Sequence, residues 1–253
     1  MSIVFSKPPL IEAICQFQFA SKQPWDSTIP GLIYAQIREE FPIKEEQGGI
    51  QLQFLPNMAV PAQFSPVTNR VLFKREDGSA VVQIGPNFLA VNHLLPYTSW
   101  ELFEAMILKH LNVYQEIARP ETVVQLEMRF INRLEIPLPE SGPGADVAEY
   151  TNAYPHVPDA LLRPTGLRFV QRVEIGVPES QGVLVIQSAT LDVVEPNQGG
   201  LLLDLSFTRF GEVAMPLGEA PAWLRTAHDE VERAFLACIT PLARENFGEV
   251  HNA

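Results

Sequence analysis

One long alternating stretch carries three of the residues whose types could bind a ligand. The stretch Val123–Pro137, VVQLEMRFINRLEIP, alternates apolar and polar residues, which predicts a strand with one buried and one solvent-facing side. Asn132 falls in the apolar register, whereas Arg129 and Arg133 fall on the polar side. A buried amide without hydrogen-bond partners costs about 1–3 kcal/mol. Asn132 therefore either projects into a pocket or clamps the backbone of a bent strand, and we favour the clamp.

The two arginines of this stretch could form a basic ladder with arginines of a later strand, Arg168 and Arg172. Acidic residues interleave with these arginines, and they are Glu127, Glu135 and Glu174. Because opposite charges on neighbouring strands attract each other, we expect cross-strand ion pairs here rather than a basic ladder.

Two aromatic residues near the start of a predicted helix complete the candidate binding set. Tyr97 and Trp100 flank the helix-capping residues Thr98 and Ser99. Their rings could stack on a ligand or close one end of the hydrophobic core, and we favour core closure. The candidate binding residues are therefore Tyr97, Trp100, Arg129, Asn132 and Arg133.

Motifs for catalysis or metal binding are not found in the sequence. It contains no Walker A loop, no Gly-x-Gly-x-x-Gly after a strand and no Gly-x-Ser-x-Gly elbow. His228 and Glu232 stand four residues apart on a predicted helix and could share a metal ion, although a solvated helix face is the favoured interpretation. Cys15 and Cys238 fit buried free thiols in a reducing compartment. We expect no catalytic residue, no metal and no cofactor, which favours a non-enzymatic protein.

Composition narrows the class of partner. The 253-residue chain carries a formal net charge of −12, which repels phosphate backbones and makes nucleic acid an unfavoured partner. The same charge favours solubility and a basic partner protein. The sequence offers no run of about 18 apolar residues and no signal peptide at its N-terminus, so we expect no membrane partner and a cytoplasmic location.

The first half of the chain, residues 1–119, predicts the order β-α-β-β-β-β-α. Prolines, capping residues and the Asp77-Gly78 turn mark where its elements begin and end. The predicted strands are Leu10–Phe19, Ile50–Phe54, Arg70–Arg75, Ala80–Ile84 and Phe88–His93. One predicted helix runs from about Pro30 to Phe41. The other is capped by Thr98 or Ser99, and Pro120 marks its end.

The second half, residues 120–253, predicts a similar order. Val123–Pro137 is followed by an irregular segment, Glu140–Pro164, with one helical turn near Asp146–Tyr150. The remaining strands are Leu167–Val177, Val183–Val194 and Leu201–Arg209. The final helix runs from about Pro221 to Asn246 and should be kinked or shortened by Pro241.

Two pairs of segments suggest that the halves arose by duplication. Pro9–Phe19 aligns with Pro120–Phe130, and Gly78–Gln83 aligns with Gly182–Gln187. The shared order predicts an α+β fold in which a curved antiparallel sheet has long helices on one face, as two halves or one continuous domain. This element order is similar to the TATA-binding-protein-like and helix-grip folds, a resemblance of topology that implies no function.

Three segments, PPLIEAICQFQF, QIGPNFLAVNHLLPYTSWELF and LEMRFINRLEIP, also resemble one known family. It is an uncharacterised, sporadically distributed family of prokaryotic proteins of about this length, and the resemblance covers essentially the full chain. The matching positions are Pro8, Pro9, Glu12, Tyr97, Trp100, Arg129, Phe130, Asn132 and Arg133. The resemblance implies a bacterial cytosolic protein but carries no activity, cofactor or partner with it.

Three function classes stay open. The preferred one is a non-enzymatic protein-interaction or binding module, with a homodimer formed through a sheet edge or a long helix, or another protein partner. The alternative is a ligand-binding protein or enzyme with a pocket between sheet and helices, near Asn132, Arg129, Tyr97 and Trp100. Nucleic-acid binding is the third class and requires a basic sheet face.

Overall fold

The computed structural model describes residues 4–52, 64–137, 146–161, 168–195, 198–209 and 213–250. Most of the predicted Pro56–Pro66 loop and much of the predicted crossover Glu140–Pro164 lie outside these ranges. The start of the strand predicted from Leu167 and the predicted turn at Asn197 also lie partly outside them.

Within the described ranges the chain forms twelve strands and four α-helices. The strands are β1 Val4–Phe5, β2 Leu10–Ala20, β3 Ile43–Leu52, β4 Phe64–Lys74, β5 Ala80–Gly85, β6 Phe88–Leu94, β7 Thr122–Pro137, β8 Val170–Val177, β9 Gly182–Glu195, β10 Gln198–Arg209, β11 Met215–Pro216 and β12 Glu249–Val250. The helices are α1 Ile29–Ile37, α2 Trp100–Ala118, α3 Ala220–Cys238 and α4 Pro241–Asn246.

Ten of these strands form one large antiparallel sheet, which confirms the predicted α+β class. Its order is β3-β4-β5-β6-β2-β7-β10-β9-β8, and β11 pairs with β7 beside this path. Strands β1 and β12 form a separate antiparallel pair. The order of elements from β2 to α2 is the predicted β-α-β-β-β-β-α.

The chain divides into two compact units, and the boundaries between their segments fall inside β2, β7, β10 and α3. The first unit contains residues 1–11, 129–207 and 228–253. The second unit contains residues 12–128 and 208–227.

The core of the second unit is built on the alternation of β2. Ala13, Cys15, Phe17 and Phe19 are buried, and the ring of Phe19 stacks on Tyr114 of α2 at a centroid distance of 4.7 Å. Helix α2 begins at the predicted cap, because Ser99 Oγ accepts a hydrogen bond from Leu102 N at 3.3 Å. The apolar residues that recur every second position in β2 thus pack against those that recur every 3.6 positions in α2.

The core of the first unit lies along β10 and α3. Leu201, Leu203, Leu205 and Phe207 alternate along β10 and are fully buried.

The predicted shortening of the final helix at Pro241 is confirmed. Helix α3 ends at Cys238, and α4 starts at Pro241 with Thr240 as its N-cap.

Strand β3 begins at Ile43, seven residues before the predicted start at Ile50. Its first half contains the exposed residues Lys44, Glu45, Glu46 and Gln47. No apolar alternation marks this segment, because neither side of it is buried, and backbone pairing with β4 alone makes it a strand.

Candidate functional site

Arg129, the first candidate on β7, is bound to a carboxylate on the neighbouring strand. Its Nε and Nη2 donate to Asp204 Oδ1 and Oδ2 at 2.8 and 2.5 Å, a bidentate pair. Asp204 is buried, and Gln187 Nε2 on β9 donates to its Oδ2 at 3.4 Å. The sequence reasoning did not single out Asp204, although a lone acidic residue inside the apolar run LLLDLSF is an available signal.

A similar polar network lies across three strands of the second unit. Gln83 Nε2 on β5 donates to Asn92 Oδ1 on β6 at 3.0 Å, and Asn92 Nδ2 donates to Glu12 Oε1 on β2 at 2.7 Å. Gln83 and Gln187 are the residues that end the two aligned segments of the predicted duplication. Both networks satisfy buried polar groups within the sheet.

Asn132 is 3% exposed and is bound to the protein backbone. Its Nδ2 donates to Leu203 O on β10 at 3.2 Å and, with a longer distance of 3.4 Å, to Phe130 O. These contacts join β7 to its neighbour β10 through a side chain. They are the contacts of a backbone clamp, the interpretation favoured from the sequence.

The other three candidates lie in different surroundings. Arg133 has an exposed side chain, while its backbone N donates to Pro9 O at 2.9 Å. Tyr97 and Trp100 belong to an aromatic cluster of the second unit, with ring centroids 6.2 and 6.3 Å from that of Phe103. Arg129, Asn132 and Arg133 belong to the first unit, so the structure groups the candidates into two sets.

A cleft of about 520 Å³ lies within the second unit, and none of the five candidates lines it. Trp25, Ile29 and Leu32 line one part of it, and Tyr114 and Arg119 of the α2 end line another. A volume of this size suits a small ligand. The sequence reasoning missed this cleft because its walls come from segments about ninety residues apart.

His228 and Glu232 lie together as the i, i+4 spacing predicts, and Asp229 joins them. One ligand atom from each of the three lies within 4.8 Å of the others, and His228 Nδ1 is 3.5 Å from Asp229 Oδ1. Asp229 is exposed. All three residues lie on about one turn of α3, an arrangement that a solvated helix face also produces. The absence of a metal ion therefore stays a prediction.

Strand β8 is the most exposed strand of the first unit. It ends the strand order of the sheet, so among the strands that the structure describes it has a neighbour, β9, on one side only. Three of its apolar residues are widely exposed: Val170 at 66%, Val173 at 44% and Ile175 at 43%. Exposed apolar side chains on an open strand edge are typical of a surface that pairs with another chain.

The apolar residues of β8 continue an apolar face of β9. Val173 lies opposite Ile186, and Ile175 lies opposite the buried Leu184. Cross-strand neighbours point to the same side of a sheet, so these residues form one apolar strip that reaches the edge. On the other side of β8, Arg172 Nη2 donates to Glu174 Oε1 at 2.7 Å.

The strand at the other end of the order, β3, is protected against pairing. Its exposed residues Lys44, Glu45 and Glu46 place charges along the edge, and its register with β4 shifts between Gln47 and Gly49. Charges and bulges are the devices that prevent edge-to-edge association. Strand β8 carries Arg172 and Glu174, whose opposite charges pair with each other, and it has no Pro and no register shift in its pairing with β9.

Comparison of the chain with protein-family models and with curated proteins gives no match. The family resemblance of the three segments therefore stays a prediction. No helix in the described part of the chain is both long enough and apolar enough to span a membrane.

Proposed function

We propose that this protein is a non-enzymatic interaction module that binds an extended polypeptide segment along β8. The observation that carries this proposal is the outer edge of β8, which no strand in the described part of the chain covers, with Val170, Val173 and Ile175 exposed. The segment that fits would pair its backbone with β8 and alternate apolar with charged residues. Such strand addition draws affinity from main-chain hydrogen bonds and specificity from alternate side chains.

The chemistry of the rest of the described chain supports binding rather than catalysis. Arg129 already has an anion in Asp204, and Asn132 donates to backbone carbonyl groups. Nucleic-acid binding has the least support, because the net charge is −12 and Arg172 is paired with Glu174.

The test of this proposal is selection of octapeptides from a displayed random library on the purified protein. We expect the enriched peptides to alternate apolar and charged residues and to shift the backbone amide resonances of β8. Glu174→Pro should abolish their binding, because it removes a hydrogen-bond donor from the edge strand. Peptides that bind equally to the Glu174→Pro protein would overturn the proposal.

A control variant separates loss of the edge from loss of the fold. Glu46→Pro changes the other edge strand, β3, and should leave peptide binding unchanged. Thermal unfolding of both variants should be two-state and close to that of the unchanged protein, since proline is tolerated at sheet edges.

The cleft of about 520 Å³ supports a second candidate function, the binding of a small molecule. Its walls combine the aromatic residues Trp25 and Tyr114 with the polar residues Gln36, Asn87 and Arg119. Ligand sites commonly join apolar walls to a few polar groups. A fragment screen by ligand-observed NMR tests this function, and hits that survive Trp25→Ala would contradict it.

The strand order supports the proposal that the two halves arose by duplication. In each half, the chain leaves a central strand, β2 or β7, crosses to an outer strand and returns strand by strand to the centre. A long helix then follows, α2 or α3. The TATA-binding-protein-like topology, the cytoplasmic location and the homodimer remain proposals beside it.

A further inference from the structure

We infer that the segment bound along β8 is the β8 strand of a second copy of this chain, antiparallel about a two-fold axis at Val173. This inference rests on the proposed function and names its partner. Backbone parity, charge order and the apolar strip each support it.

The hydrogen bonds between β8 and β9 determine which backbone N–H and C=O groups of β8 point to the outer edge. Thr190 N on β9 donates to Phe169 O at 3.1 Å, and Val170 then lies opposite Ala189. Hydrogen-bonding groups alternate sides along an antiparallel strand. Odd-numbered residues of β8 therefore bond to β9, and the even-numbered residues direct their N–H and C=O groups to the outer edge.

This parity fits a two-fold axis at Val173. In that register, Arg172 of one copy and Glu174 of the other would form two backbone hydrogen bonds with each other. The two-fold axis gives a second such pair, between Glu174 of the first copy and Arg172 of the second. Val173 would face its own counterpart in a non-hydrogen-bonded pair, in which side chains are closest. An isologous interface requires such self-complementarity.

The side chains fit the same register. Arg172 lies directly opposite Glu174 of the second copy, and the two-fold axis gives a second such pair. With the Arg172–Glu174 contact at 2.7 Å inside each chain, the four groups form an alternating charge cluster. A two-fold axis one residue away, at Arg172 or at Glu174, would instead place two like charges opposite each other.

The apolar strip is covered in this arrangement. Val173, 44% exposed, packs against its counterpart, and Ile175, 43% exposed, packs against the aliphatic part of Gln171 of the second copy. The apolar face that includes Leu184 and Ile186 then continues across the interface. Burial of this face adds a hydrophobic contribution that surface charges alone lack.

Charge reversal tests the register. Arg172→Glu alone, or Glu174→Arg alone, places like charges opposite each other twice, and we expect self-association to weaken about tenfold or more. An equimolar mixture of the two variants should regain it as a heterodimer, and the doubly reversed variant should dimerise with itself. Sedimentation velocity measures all four. Single variants that dimerise normally, or a mixture that does not, would overturn the register.

Disulfide trapping provides a second readout that does not depend on charge. Val173→Cys should form an intermolecular disulfide under mild oxidation, because residues in a non-hydrogen-bonded pair lie about 4.5 Å apart between Cα atoms. Gln171→Cys is the control on the same face, and its counterpart lies about four residues away along the strand, too far to bridge. Cys15 and Cys238 are buried and should not react.

Failure of this inference can be told from failure of the proposed function. If the chain is a monomer in sedimentation and Val173→Cys gives no cross-link, the second copy is not the partner. Selected octapeptides that still bind β8 and lose binding in Glu174→Pro would then leave the proposed function standing. Loss of both results overturns both.

Discussion

At the scale of residues, the polar groups of the sheet are held by one another. Arg129 is bound by Asp204, and Asn92 is bound by Glu12 and Gln83. Such groups are tolerated in a buried sheet because each of them is hydrogen-bonded to another polar group. Substitution of these groups should therefore lower the free energy of unfolding rather than the affinity for a ligand.

Asp204→Ala should lower the free energy of unfolding by about 1–3 kcal/mol, because it removes a buried acceptor of hydrogen bonds from Arg129 and Gln187. Urea denaturation measures the change. Glu45→Ala is the matched control, since the Lys74–Glu45 pair is largely exposed and should contribute less than about 1 kcal/mol. Equal effects of the two variants would contradict the importance of burial.

Asn132→Ala should lower the free energy of unfolding by about 1–3 kcal/mol, because it removes the bond to Leu203 O inside the core. Asn152→Ala is the control, as Asn152 makes a similar bond to Ala237 O at the surface and should matter less. Chemical denaturation compares them. An Asn132 variant of unchanged stability would instead favour the pocket interpretation.

His110 gives the fold a dependence on pH. Its Nδ1 donates to Met106 O at 2.7 Å, and its Nε2 is buried with no hydrogen-bond partner among the described residues. Burial, aided by the nearby charges of Lys109 and Arg75, lowers the pKa of His110 below its usual 6.5, although Glu40 and the bond to Met106 O oppose the shift.

The sign of the pH effect follows from the direction of that pKa. Well above pH 6.5 both folded and unfolded chains hold a neutral imidazole, and as the pH falls through 6.5 the unfolded chain binds the proton first. The free energy of unfolding should thus fall as the pH is lowered from 7.5 to 5.5. His110→Leu should reduce this slope, because it removes the group whose pKa differs between the folded and unfolded chains. The pKa of Glu40 is also lowered, so the stability that Glu40 contributes is lost only as the pH falls below about 4.5.

At the scale of elements, close packing of strands restricts single positions. A Cβ atom at position 182, the start of β9, would lie 2.3 Å from Cζ of Phe207. Phe207 is fully buried and cannot move into solvent. The strand pair β9–β10 therefore needs glycine at this point.

Gly182→Ala should destabilise the protein by about 1–3 kcal/mol through overpacking. Gly31→Ala should have the opposite effect, because Gly31 lies inside α1 with open space around it. This substitution should stabilise the protein by about 0.5–1 kcal/mol. Thermal unfolding should move in opposite directions for the two variants. A rise for Gly182→Ala would contradict the contact.

At the scale of the whole molecule, the net charge of −12 opposes association of two copies. The Debye length falls from about 30 Å at 0.01 M salt to about 8 Å at 0.15 M. Screening should weaken this long-range repulsion more than it weakens contacts at the β8 edge. We therefore predict stronger self-association at 0.15 M than at 0.01 M salt, measured by sedimentation velocity; the reverse order would indicate that ion pairs dominate.

Local patterns carried much of the fold. The alternation of Ala13, Cys15, Phe17 and Phe19 was sufficient to place β2, and the cap and proline of α2 were sufficient to place that helix. Pro241 predicted a kinked or shortened last helix, but not a separate helix α4. These signals are local, because each depends on neighbours within one or two turns or a few strand residues. The sequence by itself thus determined the order of the long elements and the α+β class, but not the short elements β1, β11, α4 and β12.

The tertiary structure decided which residues meet. Asp204 lies 75 residues from Arg129 in sequence, and only the adjacency of β10 to β7 joins them. In the same way, VQRVEIGV predicts a strand but not that this strand would stand at the edge with Val173 exposed. Strand order is set by long-range pairing, which no local period encodes, so the candidate interaction surface could be found only in three dimensions.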